Sequence, residues 1–521
     1  MPIDHGGVLH RRHAPATDTP VRTNDRRRQW ALGVVCLCIF TITVDITITN
    51  VALPFIAKDL KANTTSLQWV VDAYNIALAG LILLGGGLAD RFGRKKVFLA
   101  GFALFAVACS VAALATSTEA LVAARALMGV GAAGAIGPAL AILAVLFPPD
   151  ERGPAVAAWA MFGAAGLAIG PVAGGLLLDH FWWGSIFLVN VPFAVIGVVA
   201  GARLIPESRR PGGAHLDLVG AVLSAAALGM LLGGVIEGPV RGWGDPITLG
   251  LLVVGGALTA TFARWELRSP APMFDLRIMR RPAVAVGAAA LFVGYICFTG
   301  MLFVIPQHLQ DVRQIGVVAT GLLLTPFAIF FGIGSTRADG VLKRHGARRT
   351  LGVGLVVLGA GMGALALLPE AGAQAIVVMG TLVLAAGLAL LIVPATTVVI
   401  NDLPVADAGD GSSLNMLSRF AGAAVGVAFL GSVLTSVYAS RLHMATAGLS
   451  ADGAHRSRQS ISGALGVAAG LSRADARTLT IAARQAFDDA AQAAFLAGAV
   501  VALVAAAVAV LALRNSAVTP P

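Results

Sequence analysis

What this chain can fold into is set first by a recurrence. Fourteen apolar segments, each about 20 residues long, follow one another with polar turns between them. A segment of that length with few charges spans a bilayer as a helix, because without water every backbone amide must be bonded within the segment. The first runs over residues 29–52 and the last over 491–513. Charged residues make up 12% of the chain, about half the roughly 25% of a soluble domain. The expectation is an all-α polytopic membrane protein whose surface is largely solvated by lipid.

The net charge of +10 would point to nucleic acid in a soluble protein, but here the basic residues gather in turns. With the N-terminus inside, inner segments hold 25 of the 37 Lys and Arg and outer segments hold 10, six of those in one long outer loop. Short cytoplasmic loops carry the basic excess of membrane proteins, so both termini are expected in the cytoplasm. The excess reflects topology, and no nucleic-acid partner is expected. The inner turn Asn401–Gly409 departs from the pattern, being acidic with no Lys or Arg. Cys36, Cys38, Cys109 and Cys297 all fall in apolar segments, without metal-ligand spacing, and read as packing residues.

Two Arg- and Pro-rich inner turns, Arg203–His215 and Ala263–Pro282, bracket one helix pair and divide the chain six, two, six. This gives an N-terminal tail 1–28, a six-helix bundle 29–204, an inserted pair within 205–282, and a second bundle 283–513. The second bundle contains a long outer loop 439–490, with a surface helix expected over 474–494, and residues 514–521 form a C-terminal tail. A weak internal repeat supports the division. GGLADRFGRKK (Gly86–Lys96) lies between the second and third helices, and RADGVLKRHGARR (Arg337–Arg349) stands at the equivalent place in the second half. Six-helix halves related by an axis along the membrane normal are an established transporter plan.

Ionisable groups inside spanning helices are costly and therefore functional candidates. Asp45, in TITVDITITN, has no basic residue four positions away and is the first candidate for handling protons and substrate. Desolvation disfavours a carboxylate's charged form and a bound cation favours it, so one acid can hold a proton or a cation but hardly both. The bland alternative is an acid bonded to the neighbouring Thr hydroxyls. Asp72 lies nearer the outer interface, where water alone could satisfy it. Trp69 and Tyr74 beside it read either as interfacial anchors or as a cation-binding wall. Arg125, on a glycine-lined fourth helix, must be paired if buried, with Asp45 or with backbone carbonyls. Asn190, Asn415 and Arg419 complete the candidate lining of a substrate cavity. Motifs of zinc proteases, serine hydrolases and nucleotide-driven pumps (H-E-x-x-H, G-x-S-x-G, G-x-x-x-x-G-K-[ST]) do not occur, so neither an enzyme nor an ATP-driven pump is expected. No metal or cofactor is expected either.

The turn after the second helix resembles the signature loop of the major facilitator superfamily, G-x-L-A-D-R-x-G-R-K/R, through Gly86, Leu88, Ala89, Asp90, Arg91, Gly93, Arg94 and Lys95. The fifth-helix run Gly166, Gly170, Pro171, Gly174 and Gly175 is similar to the motif of that superfamily's antiporters, and DITITNVALP and FWWGSIFLVNVP extend the likeness along the chain. The resemblance is to the fourteen-helix drug:proton antiporters, in the branch that exports quaternary ammonium compounds, dyes and fluoroquinolones. It implies two six-helix bundles alternating access across a bacterial plasma membrane, a functional monomer, and small lipophilic cations as cargo with protons as the coupling ion. The proton motive force then takes the place of a cofactor. It also implies that Gly86, Asp90, Arg91, Gly93 and Arg94 act as a conformational latch, with Asp90 engaging a helix N-terminus across the bundle interface. The helix-10 acid of some dication exporters aligns with Phe331, which weighs against divalent cargo. An exporter of an endogenous metabolite or lipid on the same fold is the alternative. A non-transporting scaffold would need none of these residues.

Overall fold

In the computed structural model the chain is described over residues 25–209, 216–269, 272, 275–367, 373–403 and 408–513. Both tail assignments fall largely outside these residues, as do parts of the two Arg- and Pro-rich turns and of Asn401–Gly409. Long helices carry the fold: α1 (Asp25–Asp59), α2 (Thr64–Phe92), α3 (Arg94–Ala113), α4 (Thr118–Leu146), α5 (Pro149–His180) and α6 (Ser185–Leu204). Then come α7 (Leu218–Arg241), α8 (Pro246–Arg268) and α9 (Pro282–Val312), followed by one uninterrupted run, Val317–Leu365.

Those 49 residues would span about 74 Å as a single helix at 1.5 Å per residue, more than twice a bilayer core. The run bends back at Gly346, whose φ of +76° and ψ of 164° are not helical. It is therefore two crossings, α10 (317–345) and α11 (347–365). Gly93, between α2 and α3, has a φ of +117°. The two turns that echo each other in sequence thus use a glycine at positive φ for the same reversal, a conformation that costs other residues about 1–2 kcal/mol. After α12 (Ala373–Asn401) and α13 (Ala408–Leu442), a lobe with α14 (Ala451–Gln459) and α15 (Ile461–Ala468) leads into α16 (Arg473–Ala512). The described residues therefore make fourteen crossings, α1–α13 and α16. The surface helix expected over 474–494 is not separate: it runs without a break into the last crossing.

Helices α1–α6 pack as one bundle, and α9–α13 with α16 as the other. The bundles meet along two seams, α2 against α13 and α5 against α10, with α1 touching α9 between them. At the end remote from the Asp90 turn, Gln68 Nε2 donates to Val427 O (3.3 Å) and Ala428 O (3.1 Å), and Gln310 Nε2 donates to Val51 O at 3.0 Å. At the other seam Gly175 lies against Val317 and Val318, and Gly321 against the Pro171 carbonyl, so close that a side chain on either glycine would collide.

The inserted pair does not stand apart. α7 lies along the α2/α13 seam and touches both bundles. Trp69 Nε1 on α2 donates to Glu237 Oε1 at 3.1 Å, and Ser432 Oγ on α13 donates to Val235 O at 2.6 Å. Helix α8 rests on α7 and is otherwise mostly exposed, as suits a lipid-facing element.

Candidate functional site

Helix α1 can carry the polar run TITVDITITN through a buried position because its side chains satisfy themselves. Thr41, Thr43, Thr47 and Thr49 each donate their hydroxyl to a carbonyl of the preceding turn, and Asn50 Nδ2 donates to Ile46 O. This disposes of the bland alternative for Asp45. The Thr49 hydroxyl bonds the Asp45 backbone carbonyl at 2.8 Å, not the carboxylate, which is left to find partners on other helices.

It finds them on α4 and α6. Arg125 Nη1 lies 2.6 Å from Asp45 Oδ2, and Asn190 Nδ2 donates to Asp45 Oδ1 at 3.3 Å. Arg125 Nε donates to Val70 O of α2 at 3.0 Å, and the guanidinium sits 4.4 Å over the Tyr74 ring with Phe187 at 5.9 Å. Asp45 and Tyr74 are 0% exposed, Arg125 and Asn190 1%. Sequence left Arg125 a choice between Asp45 and backbone carbonyls, and it takes both. Tyr74 does face a cation, but that cation belongs to the protein. The hydroxyl of Tyr74 and Oδ1 of Asn190 have no hydrogen-bond partner among the described residues, which leaves unused capacity beside the ion pair. Glycines permit this convergence: a Cβ on Gly129 would strike the Tyr74 carbonyl at 2.5 Å, so only glycine lets α4 approach α2 closely enough for Arg125 to reach.

Asp72 faces the other way. It lies two residues from Tyr74, hence on nearly the opposite side of α2. Gln68, one turn before it, bonds α13, and Trp69 bonds α7. Asp72 is 0% exposed, and among the described residues neither carboxyl oxygen has a hydrogen-bond partner of good geometry, with Asn75 the polar side chain that bears on it. It is not at a wetted helix end. Trp69 is committed to Glu237 and the inserted pair, so it serves as a strut there and not as a free cation-binding wall.

The Asp90 turn is also differently engaged from the expected latch. Asp90 Oδ1 pairs with Arg94 Nε at 2.9 Å, within the same turn. Arg94 N donates to Ser208 O at 2.8 Å, and Lys95 N donates to Glu207 Oε1 at 3.2 Å. Lys95 Nζ donates to Ala202 O at 2.6 Å, and Arg91 lies over the Phe92 ring at 5.5 Å. The turn therefore holds the strand of chain leaving α6, in its own half. Gly86 packs where α2 crosses the carbonyl of Gly137 in α4. In the fifth-helix motif, Gly166 and Gly170 abut the hydroxyls of Thr43 and Thr47, and Gly174 abuts Ile48. Pro171 and Gly175 face α10 across the seam. One face of α5 thus grips the helix carrying Asp45 while the other meets the second bundle.

Residues 35–427 match the family model described as Major Facilitator Superfamily. The chain belongs to the major facilitator superfamily. It is a multi-pass membrane transporter and not an enzyme. Among its relatives is the multidrug efflux pump LfrA of Mycolicibacterium smegmatis, 35% identical over 472 residues, covering 90% of this chain and 93% of that protein. The tetracenomycin C resistance and export protein of Streptomyces glaucescens is 32% identical, covering 81% and 78%. The puromycin resistance protein pur8 of Streptomyces alboniger is 33% identical, covering 82% and 86%. Of solved structures, a bacterial homologue of the lysosomal transporter Spinster superposes with a TM-score of 0.66 at 16% identity, covering 94% of this chain and 98% of that one.

In this facilitator the remaining candidates sit in the second bundle. Asn415 Nδ2 donates to Thr396 Oγ1 at 2.6 Å, and Arg419 Nη2 donates to the same hydroxyl at 3.2 Å, with its guanidinium 5.9 Å from the Tyr295 ring. Sequence reasoning missed the aromatic series that continues from there. Tyr295 meets Phe298 edge-on at 6.1 Å, Phe298 stacks on Phe327 at 5.2 Å, and Phe327 stacks on Phe331 at 6.2 Å. The signal was faint: Phe327 and Phe331 are four apart on α10, a spacing that equally well faces lipid. A cleft of about 490 Å³ between α15 and α16, lined in part by Leu465, Arg477, Ile481 and Arg484, contains none of the predicted site residues.

Proposed function

We propose that the chain is a proton-coupled multidrug efflux antiporter of the bacterial plasma membrane, with both termini cytoplasmic, exporting lipophilic cationic or zwitterionic compounds as a monomer. The observation that carries this reading is the fully buried Asp45–Arg125 pair at the junction of α1, α2, α4 and α6. A buried pair adds little net stability, and losing one partner's charge is strongly destabilising. It therefore suits a switch. Protonation of Asp45 releases Arg125, which must then find other partners, and the helices that hold them shift.

This arrangement revises the competition expected at Asp45. Arg125 already neutralises that carboxylate, so the exchange there is between a proton and Arg125. Among the described residues Asp72 has only the Asn75 side chain bearing on it, and it stands at the α2/α13 seam, where a poorly paired charge is costly. A proton or a cationic drug beside it removes that cost, so the competition between proton and drug is assigned to Asp72. The aromatic series from Tyr295 to Phe331 suits flat lipophilic cations. With the Asp90 turn cytoplasmic, the bonds of Gln68 and Gln310 close the outer end, and an intact Asp90–Arg94 pair accords with a latch not engaged in this conformation.

The test is ethidium efflux from cells or inverted vesicles under an imposed proton gradient. Gradient-dependent efflux in wild type, abolished in folded Asp45→Asn, is expected. Equal efflux in both would refute the role of Asp45. A second reading, export of an endogenous metabolite, is favoured by relatives whose names attach them to tetracenomycin C and actinorhodin, and absence of ethidium transport by folded wild type would support it.

A further inference from the structure

The first bundle cancels the charge of its buried arginine, and the second does not. Arg125 is matched by the Asp45 carboxylate at 2.6 Å. Arg419 of α13 has no acidic partner among the described residues and reaches instead toward α9 and α12. Its Nη2 donates to the Thr396 hydroxyl at 3.2 Å. That hydroxyl also accepts from Asn415 at 2.6 Å and donates to Ile392 O at 2.6 Å, so its capacity is used. The Nε of Arg419 is buried with no partner among the described residues. The guanidinium is 5.9 Å from the Tyr295 ring, and Tyr295 lies about 20 Å along α9 from Pro282 at 1.5 Å per residue. The charge therefore hangs at membrane depth and not at a helix end.

Arg419, Tyr295 and Thr396 are each partly exposed, whereas Phe298, Phe327 and Phe331 behind Tyr295 are buried. The aromatic series thus opens at the arginine, and a flat molecule stacking on Tyr295 comes to lie beside the guanidinium. A guanidinium stays charged at physiological pH, and at this depth it is costly without a counter-charge. Water reaching its exposed atoms lowers that cost, but a cargo displaces the water. A cationic cargo then adds like-charge repulsion, whereas a carboxylate fills the vacant donors with charge-assisted bonds. The opposite imbalance stands on α2, where Asp72 has only Asn75 bearing on it. Gln68 of α2 bonds α13 at Val427 and Ala428. Inward from that level, Asp72 is about 6 Å down α2 and Arg419 about 12 Å down α13. Two helices packed at one seam thus offer an acid and a base at depths about 6 Å apart. We propose that Arg419 recognises an acidic group on the cargo, so that the preferred cargo is an aromatic zwitterion carrying a carboxylate or similar anion, and a purely cationic drug is the poorer ligand. This rests on the efflux reading above and narrows its cargo.

The test is equilibrium binding to the full-length protein in lipid nanodiscs, with empty nanodiscs subtracted, read by fluorescence polarisation of two dyes. One is a rhodamine with a free benzoate, zwitterionic at neutral pH. The other is its methyl ester, a cation of the same ring system. No gradient is applied, so the result is independent of proton coupling. Wild type is expected to bind the zwitterion about tenfold more tightly than the ester, the effect of one hydrogen bond to a charged group. In Arg419→Gln, which removes the charge and keeps a polar amide, the zwitterion should lose about that factor while the ester holds or gains. Arg419→Lys keeps the charge without the planar fork and should keep the sign of the preference, and it serves if the Gln variant does not fold. Equal binding of both dyes by wild type, tighter binding of the ester, a Gln variant that keeps the preference or a Lys variant that reverses it would each overturn this inference and leave the efflux reading standing. Failure of folded wild type to bind either dye would remove the cargo reading and this inference with it.

Discussion

Replacing Asp45 by Asn leaves Arg125 buried at 1% exposure with the Val70 carbonyl, the Tyr74 face and a neutral amide for company. Stranding one member of a fully buried pair costs about 3–5 kcal/mol, whereas removing both charges in a packed site is often neutral or stabilising. The expected pattern is therefore non-additive. Asp45→Asn and Arg125→Met should each lower the unfolding midpoint, by on the order of 10 °C if the affected unit is the N-terminal bundle. The double variant should recover most of that loss while exporting nothing against a proton gradient. The protein supplies its own probe: Cys36, Cys38, Cys109 and Cys297 are all free and buried, so a thiol-reactive fluorophore reports on opening of the fold during heating. A single variant as stable as wild type would refute the buried-pair energetics. A double variant that still couples efflux to protons would refute the pair as the coupling device, whatever its stability.

Asp72→Asn removes the charge of a buried carboxyl that finds no well-aligned donor among the described residues, so its unfolding midpoint should equal or exceed that of wild type while cation efflux is lost. A destabilised Asp72→Asn protein would show that the carboxyl is satisfied in the folded state. Gly170→Val drives a branched side chain into the Thr47 hydroxyl on α1 and should cost about 1–3 kcal/mol by overpacking, read as a lower midpoint in the same thiol assay, and an unchanged midpoint would refute the close α1/α5 contact.

The crossings were legible because lipid admits few solutions: length and hydropathy mark them, and glycines at 93 and 346 mark the two reversals that a continuous helix could not make. One boundary was not. Hydropathy changes near residue 490, which invited two elements, but the stretch Arg473–Ala494 holds neither Gly nor Pro and winds straight on. The charged members of the site were legible too, since Asp45 and Arg125 are conspicuous among apolar neighbours. Their pairing was not, because they stand 80 residues apart on helices whose faces hydropathy does not distinguish once both are buried. Trp69 was misplaced for a related reason. Its partner Glu237 lies on the inserted pair, near enough to a helix end to read as an ordinary interfacial acid. The bonds of Gln68 and Gln310 join surfaces far apart in the chain, and no periodicity in a sequence encodes which faces of two bundles meet.

The placement of α7 makes the transporter lopsided. Two halves related by a pseudo-twofold axis would present two equivalent gaps to the surrounding lipid, but a helix tied to Trp69 on one side and Ser432 on the other is draped over the α2/α13 gap. Any rocking of the halves must stretch or roll that helix, so it acts as a spring in parallel with the hinge. A hydrophobic molecule dissolved in the bilayer meets unequal flanks: an upholstered wall at α2/α13, and at α5/α10 two bare helices with glycines and a proline where they touch.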